Sequence, residues 1–138
     1  MSLFMLASAI AQAHFTLVSP VAIEQTQTLN LGLISNQVSV ECQLDQFQRQ
    51  GTGCISSDNQ LGQFAINGDG HSVINVTVYQ TNNANIKFTP ILPNGSQQQS
   101  FALTQQTTLI NVGGKVDVLS DQLAGEQQLN YTIEVNYQ

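Results

Sequence analysis

Apolar residues recur at every second position along most of this chain, the period of a strand with one buried face. Phe15, Leu17, Val21 and Ile23 share one parity, interrupted at Ser19-Pro20, and Leu29, Leu31 and Leu33 continue it. Val38, Val40, Cys42 and Leu44 alternate next. Phe64 and Ile66 lead into Asn67-Gly68-Asp69-Gly70, whose residue types suit a turn. Ile74, Val76 and Val78 form a further strand pattern, and Ile86 and Phe88 run up to Pro90. Pro93-Asn94-Gly95 reads as a turn ahead of Phe101 and Leu103. Leu109 to Val112 is apolar, Gly113-Gly114 reads as a break, and Val116 and Val118 follow. The last alternation is the most regular. Leu129, Tyr131, Ile133, Val135 and Tyr137 point one way, and Asn130, Thr132, Glu134 and Asn136 the other. Only Ser120 to Gln128 admits a helical turn, and Gly125 weakens it. Short strands separated by turn signals at this spacing predict an all-β fold, an antiparallel β-sandwich.

The N-terminus carries a different pattern. Leu3 to Ile10 is a short apolar run followed by Ala11-Gln12-Ala13, a small-x-small cleavage sequence. That is the apolar core and cleavage region of a secretory signal, and the run is too short to span a bilayer. Residues 1–13 are therefore expected to be removed on export. Met1-Ser2 lacks the Lys or Arg that opens such a signal, which points to an upstream start or a fragment. Residues 14–28 then read as an N-terminal extension and 29–138 as the sandwich domain.

Export changes the reading of the cysteines. In an oxidising compartment Cys42 and Cys54, with Gly51-Thr52-Gly53 between them, are expected to close a loop as a disulfide. A metal site would need further ligands, and His14 and His71 do not stand at ligand spacing. A reactive thiol would need a paired His in an electropositive setting. Neither a cofactor nor a metal is expected. Nucleophile-elbow, zinc-protease, phosphate-loop and dinucleotide motifs are missing, and the dispersed carboxylates form no legible acid–base pair. The residues point away from an enzyme.

Composition narrows the partners. The chain has 138 residues, 3 Lys+Arg against 9 Asp+Glu, and a net charge of −6. Three cations neutralise few phosphates, so nucleic acid and anionic membrane surfaces are poor partners. Charged residues make up 9% and apolar residues 41%, so the core is adequate while the polar surface comes from 20 Gln and 12 Asn. An amide surface of this kind suits a secreted protein that packs against copies of itself.

Two resemblances follow from these residues. Leu29-Asn30-Leu31-Gly32-Leu33-Ile34, Gly62-Gln63-Phe64-Ala65-Ile66-Asn67-Gly68, Val112-Gly113-Gly114-Lys115-Val116-Asp117-Val118 and Ala124-Gly125 leading into Tyr131–Tyr137 occur in that order. Together they resemble the bacterial secreted family called domain of unknown function 4402, which implies an exported β-sandwich without a settled activity. The C-terminus, with penultimate Tyr137 and with Gly125 fourteenth from the end, resembles that of chaperone–usher pilus subunits.

The pilus resemblance implies an immunoglobulin-like sandwich that lacks its last strand. In transit a periplasmic chaperone fills the groove; on the surface the N-terminal strand of the next subunit does, delivered through an outer-membrane usher. Carried onto this chain, it makes His14 to Ile23 the donor segment, with Phe15, Leu17, Val21 and Ile23 filling pockets. It makes Gly125, Tyr131, Ile133, Val135 and Tyr137 the acceptor and chaperone-binding side, with the carboxylate of Gln138 as an anchor. The reading is a structural subunit of a surface fibre. Its alternative is a self-complete secreted sandwich that binds a ligand such as a glycan. Pro20 departs from the pattern, because it breaks the donor run.

Overall fold

The computed structural model describes residues 5–120 and 124–138; Leu3 and Phe4 of the export run and residues 121–123 of the expected helical turn lie outside them. The described residues hold strands and no helix. In chain order the strands are β1 (Ala22–Gln27), β2 (Leu33–Ile34), β3 (Glu41–Leu44), β4 (Arg49–Gln50), β5 (Cys54–Ile55) and β6 (Gly62–Asn67). Then come β7 (Val73–Tyr79), β8 (Thr81–Asn82), β9 (Ile86–Ile91), β10 (Gln98–Ala102), β11 (Thr107–Val118) and β12 (Thr132–Tyr137).

All the pairings are antiparallel. One sheet runs β1-β6-β11, with β3, β4, β8 and β9 gathered around the far half of β11. A second sheet is β10-β7-β12. The two meet across one core. Phe64 and Ile66 of β6 and Ile110 and Val112 of β11 pack with Ile74, Val76 and Val78 of β7, and Leu92 and Leu103 close the cluster. These side chains come from the alternating positions of the sequence, because only period two places successive apolar groups on one face of a pleated strand.

β11 is where the sequence expectation fails. Gly113-Gly114 does not break the strand, which runs unbroken for 12 residues. Its first half pairs with β6 and its second half with β3 and β9. The glycines sit at the changeover and are needed for closeness. A Cβ on Gly113 would lie 2.0 Å from the carbonyl oxygen of Leu44, and one on Gly114 2.5 Å from the Phe88 ring. Glycine in a strand here marks close approach of a neighbour. The leucine run is also shorter than its alternation implied: only Leu33–Ile34 is strand, and Asn30 makes an isolated bridge to Gln60.

Residues 29–61 form an arm braced in two ways. Cys42 of β3, fully buried, and Cys54 of β5 are joined by a disulfide, with Cα atoms 5.0 Å apart. The Arg49 guanidinium donates to the carbonyls of Leu31 at 2.8 Å, Ile55 at 2.7 Å and Leu33. A planar fork with five donors serves three carbonyls at once, which an ammonium could not match. Asp45 shapes the β3–β4 turn by accepting from the N–H groups of Phe47 and Gln48. Those bonds hold its carboxyl below the usual carboxylate range. Opening the disulfide frees a loop whose closure is worth about 3 kcal/mol. A Cys42→Ala/Cys54→Ala variant is therefore expected to melt on the order of 10 °C lower by calorimetry. An unchanged midpoint would place the brace in Arg49 alone.

Candidate functional site

The C-terminal strand is the feature around which the predicted residues collect. β12 pairs with β7 from Thr132↔Tyr79 to Tyr137↔Ile74, so Ile133 stands opposite Val78 and Val135 opposite Val76. Opposed residues share a face, so the apolar side of β12 looks into the core. Burial differs sharply between the two strands. Val76 and Val78 are 0% and 1% exposed, whereas Ile133, Val135 and Tyr137 are only half-buried. The cause is position. β12 is the outer strand of its sheet, and among the described residues no strand pairs with its other edge.

Its outward side is polar and internally tied. Glu134 accepts from the hydroxyl of Tyr79 at 3.3 Å and from the amide of Asn136 at 2.9 Å. The Glu134 charge beside Tyr79 pushes that phenol above its ordinary range.

The two tyrosines mark the ends of the strand. Tyr131 sits edge-on to Phe64 at 6.2 Å between ring centres and 5.6 Å from Phe88. Gly62 leaves room for it, since a Cβ there would be 3.2 Å from the Tyr131 hydroxyl. That hydroxyl is buried without a hydrogen-bond partner, and burial pushes its pKa up to about 12. Tyr137, at the other end, is fully engaged. Its hydroxyl accepts from the N–H of Asp69 at 2.7 Å and donates to the carbonyl of Ser19 at 2.6 Å. Beyond it the N–H of Gln138 donates to the carbonyl of Val73 at 2.9 Å. Gly125 lies in the loop ahead of β12 with φ +152 and nothing within 4 Å of a Cβ position.

The four candidate donor residues fall into two groups. Phe15 and Leu17 lie in a stretch without regular structure and are 81% and 86% exposed. Val21 packs against the buried cluster, and Ile23 stands in β1 opposite Ile66 of β6. The candidate extension therefore contains a strand of the domain itself, starting at Ala22.

The structure thus brings Val21 to the Tyr137 end of the edge and leaves Phe15 and Leu17 in solvent. The pattern reading missed Ser19, Gly68 and Asp69. A Cβ on Gly68 would meet the Tyr137 hydroxyl at 2.9 Å and Val21 at 3.5 Å. The turn sequence Asn67-Gly68-Asp69-Gly70 was visible, but nothing in it says that a tyrosine 68 positions later docks there.

Chemistry elsewhere is sparse. Among the described residues no group of three or more His, Cys, Asp or Glu could hold a metal ion. The larger surface hollow, about 510 Å³, is lined by Thr104, Gln105, Thr107, Thr108 and Leu109, without a titratable side chain.

The orphaned Tyr131 hydroxyl yields a stability prediction. Tyr131→Phe is expected to gain about 1 kcal/mol, read as a higher urea midpoint at unchanged slope. The phenol ionises near 10.0 when unfolded and about 12 when folded, so the unfolded chain releases its proton first and the wild type loses stability as pH rises from 10.0 toward 12. The midpoint gap between variant and wild type should therefore widen across that range. A gap that stays constant would mean the hydroxyl is hydrated.

Comparisons with family models, with curated proteins and with solved structures return no match to this chain.

Proposed function

We propose that this chain is a structural subunit of a bacterial surface fibre, joined to its neighbours by exchange of a β-strand. The observation that carries the reading is the outer edge of β12. A strand whose inward side chains Ile133, Val135 and Tyr137 are only half-buried, and whose outer edge no strand among the described residues pairs, presents backbone groups beside partly covered apolar surface. Such an edge templates pairing with another chain unless something covers it. Adding a strand satisfies both needs together, with backbone bonds supplying affinity and alternate side chains filling pockets.

Strand order supports the same reading. In an immunoglobulin-like sandwich four strands order as A-B-E-D, and the facing sheet as C-F-G. Here β1, β6, β11 and β9 correspond to the first set, and β7 and β12 to C and F. β10 is added on the free side of β7. The place of G, beside β12, holds no strand among the described residues. The exposed Phe15 and Leu17 supply the alternating apolar residues that such a place would take. An exported route agrees with the apolar run and cleavage sequence ahead of His14 and with the Cys42–Cys54 disulfide. On this reading a periplasmic chaperone covers the edge in transit, an outer-membrane usher delivers the subunit, and the partners at the surface are copies of this chain or related subunits.

The test is a denaturing gel of surface-extracted protein with and without boiling. Strand-exchanged subunits give a ladder that survives SDS and collapses to monomer on boiling. Deleting 14–19, which spares β1, should remove the ladder and leave a disulfide-bonded folded monomer. A single monomer band in both lanes overturns the reading in favour of a self-complete binding module.

A further inference from the structure

Resting on the strand-exchange reading, we propose that the donated strand is confined to His14–Ser19. Phe15 and Leu17 are its two anchoring side chains, the occupant of the β12 edge is this segment from a second copy, and Tyr137 is the positioning residue that fixes its root.

Three observations set the boundary at Ser19-Pro20. First, the Tyr137 hydroxyl ties the Ser19 carbonyl to the Asp69 N–H, joining the extension, the end of β12 and the β6–β7 turn at one point. Second, Pro20 has no N–H to give to a ladder and holds Ser19 in extended geometry. Third, the residues after Pro20 are already committed. Val21 packs on the buried core cluster, and Ile23 lies in β1, which is paired with β6 from Ala22 to Gln27. Donating Val21 or Ile23 to a neighbour would lift Val21 off the cluster or unzip β1 from β6. Among the described residues no strand pairing or core contact holds Phe15 and Leu17, which are 81% and 86% exposed and two positions apart in sequence. The six residues 14–19 span about 20 Å, the length of the six-residue β12.

The same tether argues for a second copy over the chain's own segment. Ser19 is held at the Tyr137 end of β12, so residues 14–18 folded back along that edge would run parallel to it. A strand from another copy has no tether and can enter antiparallel, the more stable pairing. The root at Tyr137 then sets where the donated strand leaves one subunit relative to the edge it offers.

Synthetic fluorescent peptides added to the purified, oxidised full chain test this. Peptide 14–23 measures whether the edge takes the strand at all, and no binding by it overturns the strand-exchange reading and this proposal together. With binding established, peptide 14–19 is expected to bind within about threefold of 14–23. Phe15→Asp or Leu17→Asp in the peptide should weaken binding by at least about tenfold, and Val21→Asp should leave it unchanged. Binding by 14–23 but not by 14–19, or loss on Val21→Asp, overturns the boundary while leaving strand exchange intact. If the chain's own segment fills the edge, Phe15→Asp/Leu17→Asp in the chain will raise peptide capture, which overturns the second-copy occupant.

For Tyr137, the Tyr137→Phe chain keeps the ring and loses both hydrogen bonds. Amide exchange at Asp69, Val21 and Ala22 should then rise by about fivefold while β7 stays protected. A uniform rise across β6 and β7 would show a merely structural role and overturn the positioning assignment.

Discussion

The structure depends on one contact surface, the apolar face of β7 against those of β6 and β11. Ile74, Val76 and Val78 are essentially inaccessible, and they meet Phe64, Ile66, Ile110 and Val112 from the other sheet. Coverage is uneven. Leu92 and Leu103 are buried at the cluster's margin, whereas the β12 side is lined by half-buried residues. Burial of apolar area is the dominant favourable term in folding, so a margin left half-wet is stabilisation still to be gained.

The core is small, and the rest of the chain is built to brace it. The disulfide and the Arg49 fork hold the 29–61 arm together internally, Cys42 doing so from β3 of the sheet. Lys115 of β11 pairs with Glu41 of β3 at 3.0 Å and with Asp117 of its own strand at 3.8 Å, and the hydrogen bond to Glu41 raises its pKa. Exposed pairs like these contribute little. Gly113 and Gly114 do more, because they let β11 pass close to Leu44 and Phe88 and so serve two sets of partners with one strand.

The candidate site inherits its character from this architecture. Both ends of β12 are anchored by aromatic residues, Tyr131 among Phe64 and Phe88 and Tyr137 at the Ser19–Asp69 junction. The middle, Ile133 and Val135, pairs with β7 along one edge and packs on the core cluster. The edge is fixed at both ends, and among the described residues no strand pairs with its outer side.

Period-two alternation by itself determined the fold class, the core strands β6, β7 and β12 and the faces they bury, because pleating ties side-chain direction to sequence parity. Oxidising-compartment logic likewise paired Cys42 with Cys54. Alternation cannot say which strand is next to which, so it gave Phe15, Leu17, Val21 and Ile23 a single role. Only the tertiary structure separates them, since register against β6 engages Ile23 and packing engages Val21 while Phe15 and Leu17 stay exposed. The glycine pair misled for a related reason. Glycine is weak in strands on local grounds, and its use at 113 and 114 is dictated by atoms of Leu44 and Phe88, far away in sequence. The edge status of β12 and the Tyr137–Ser19 bond are likewise properties of neighbours, set by which strands the folded chain brings together rather than by any residue taken alone.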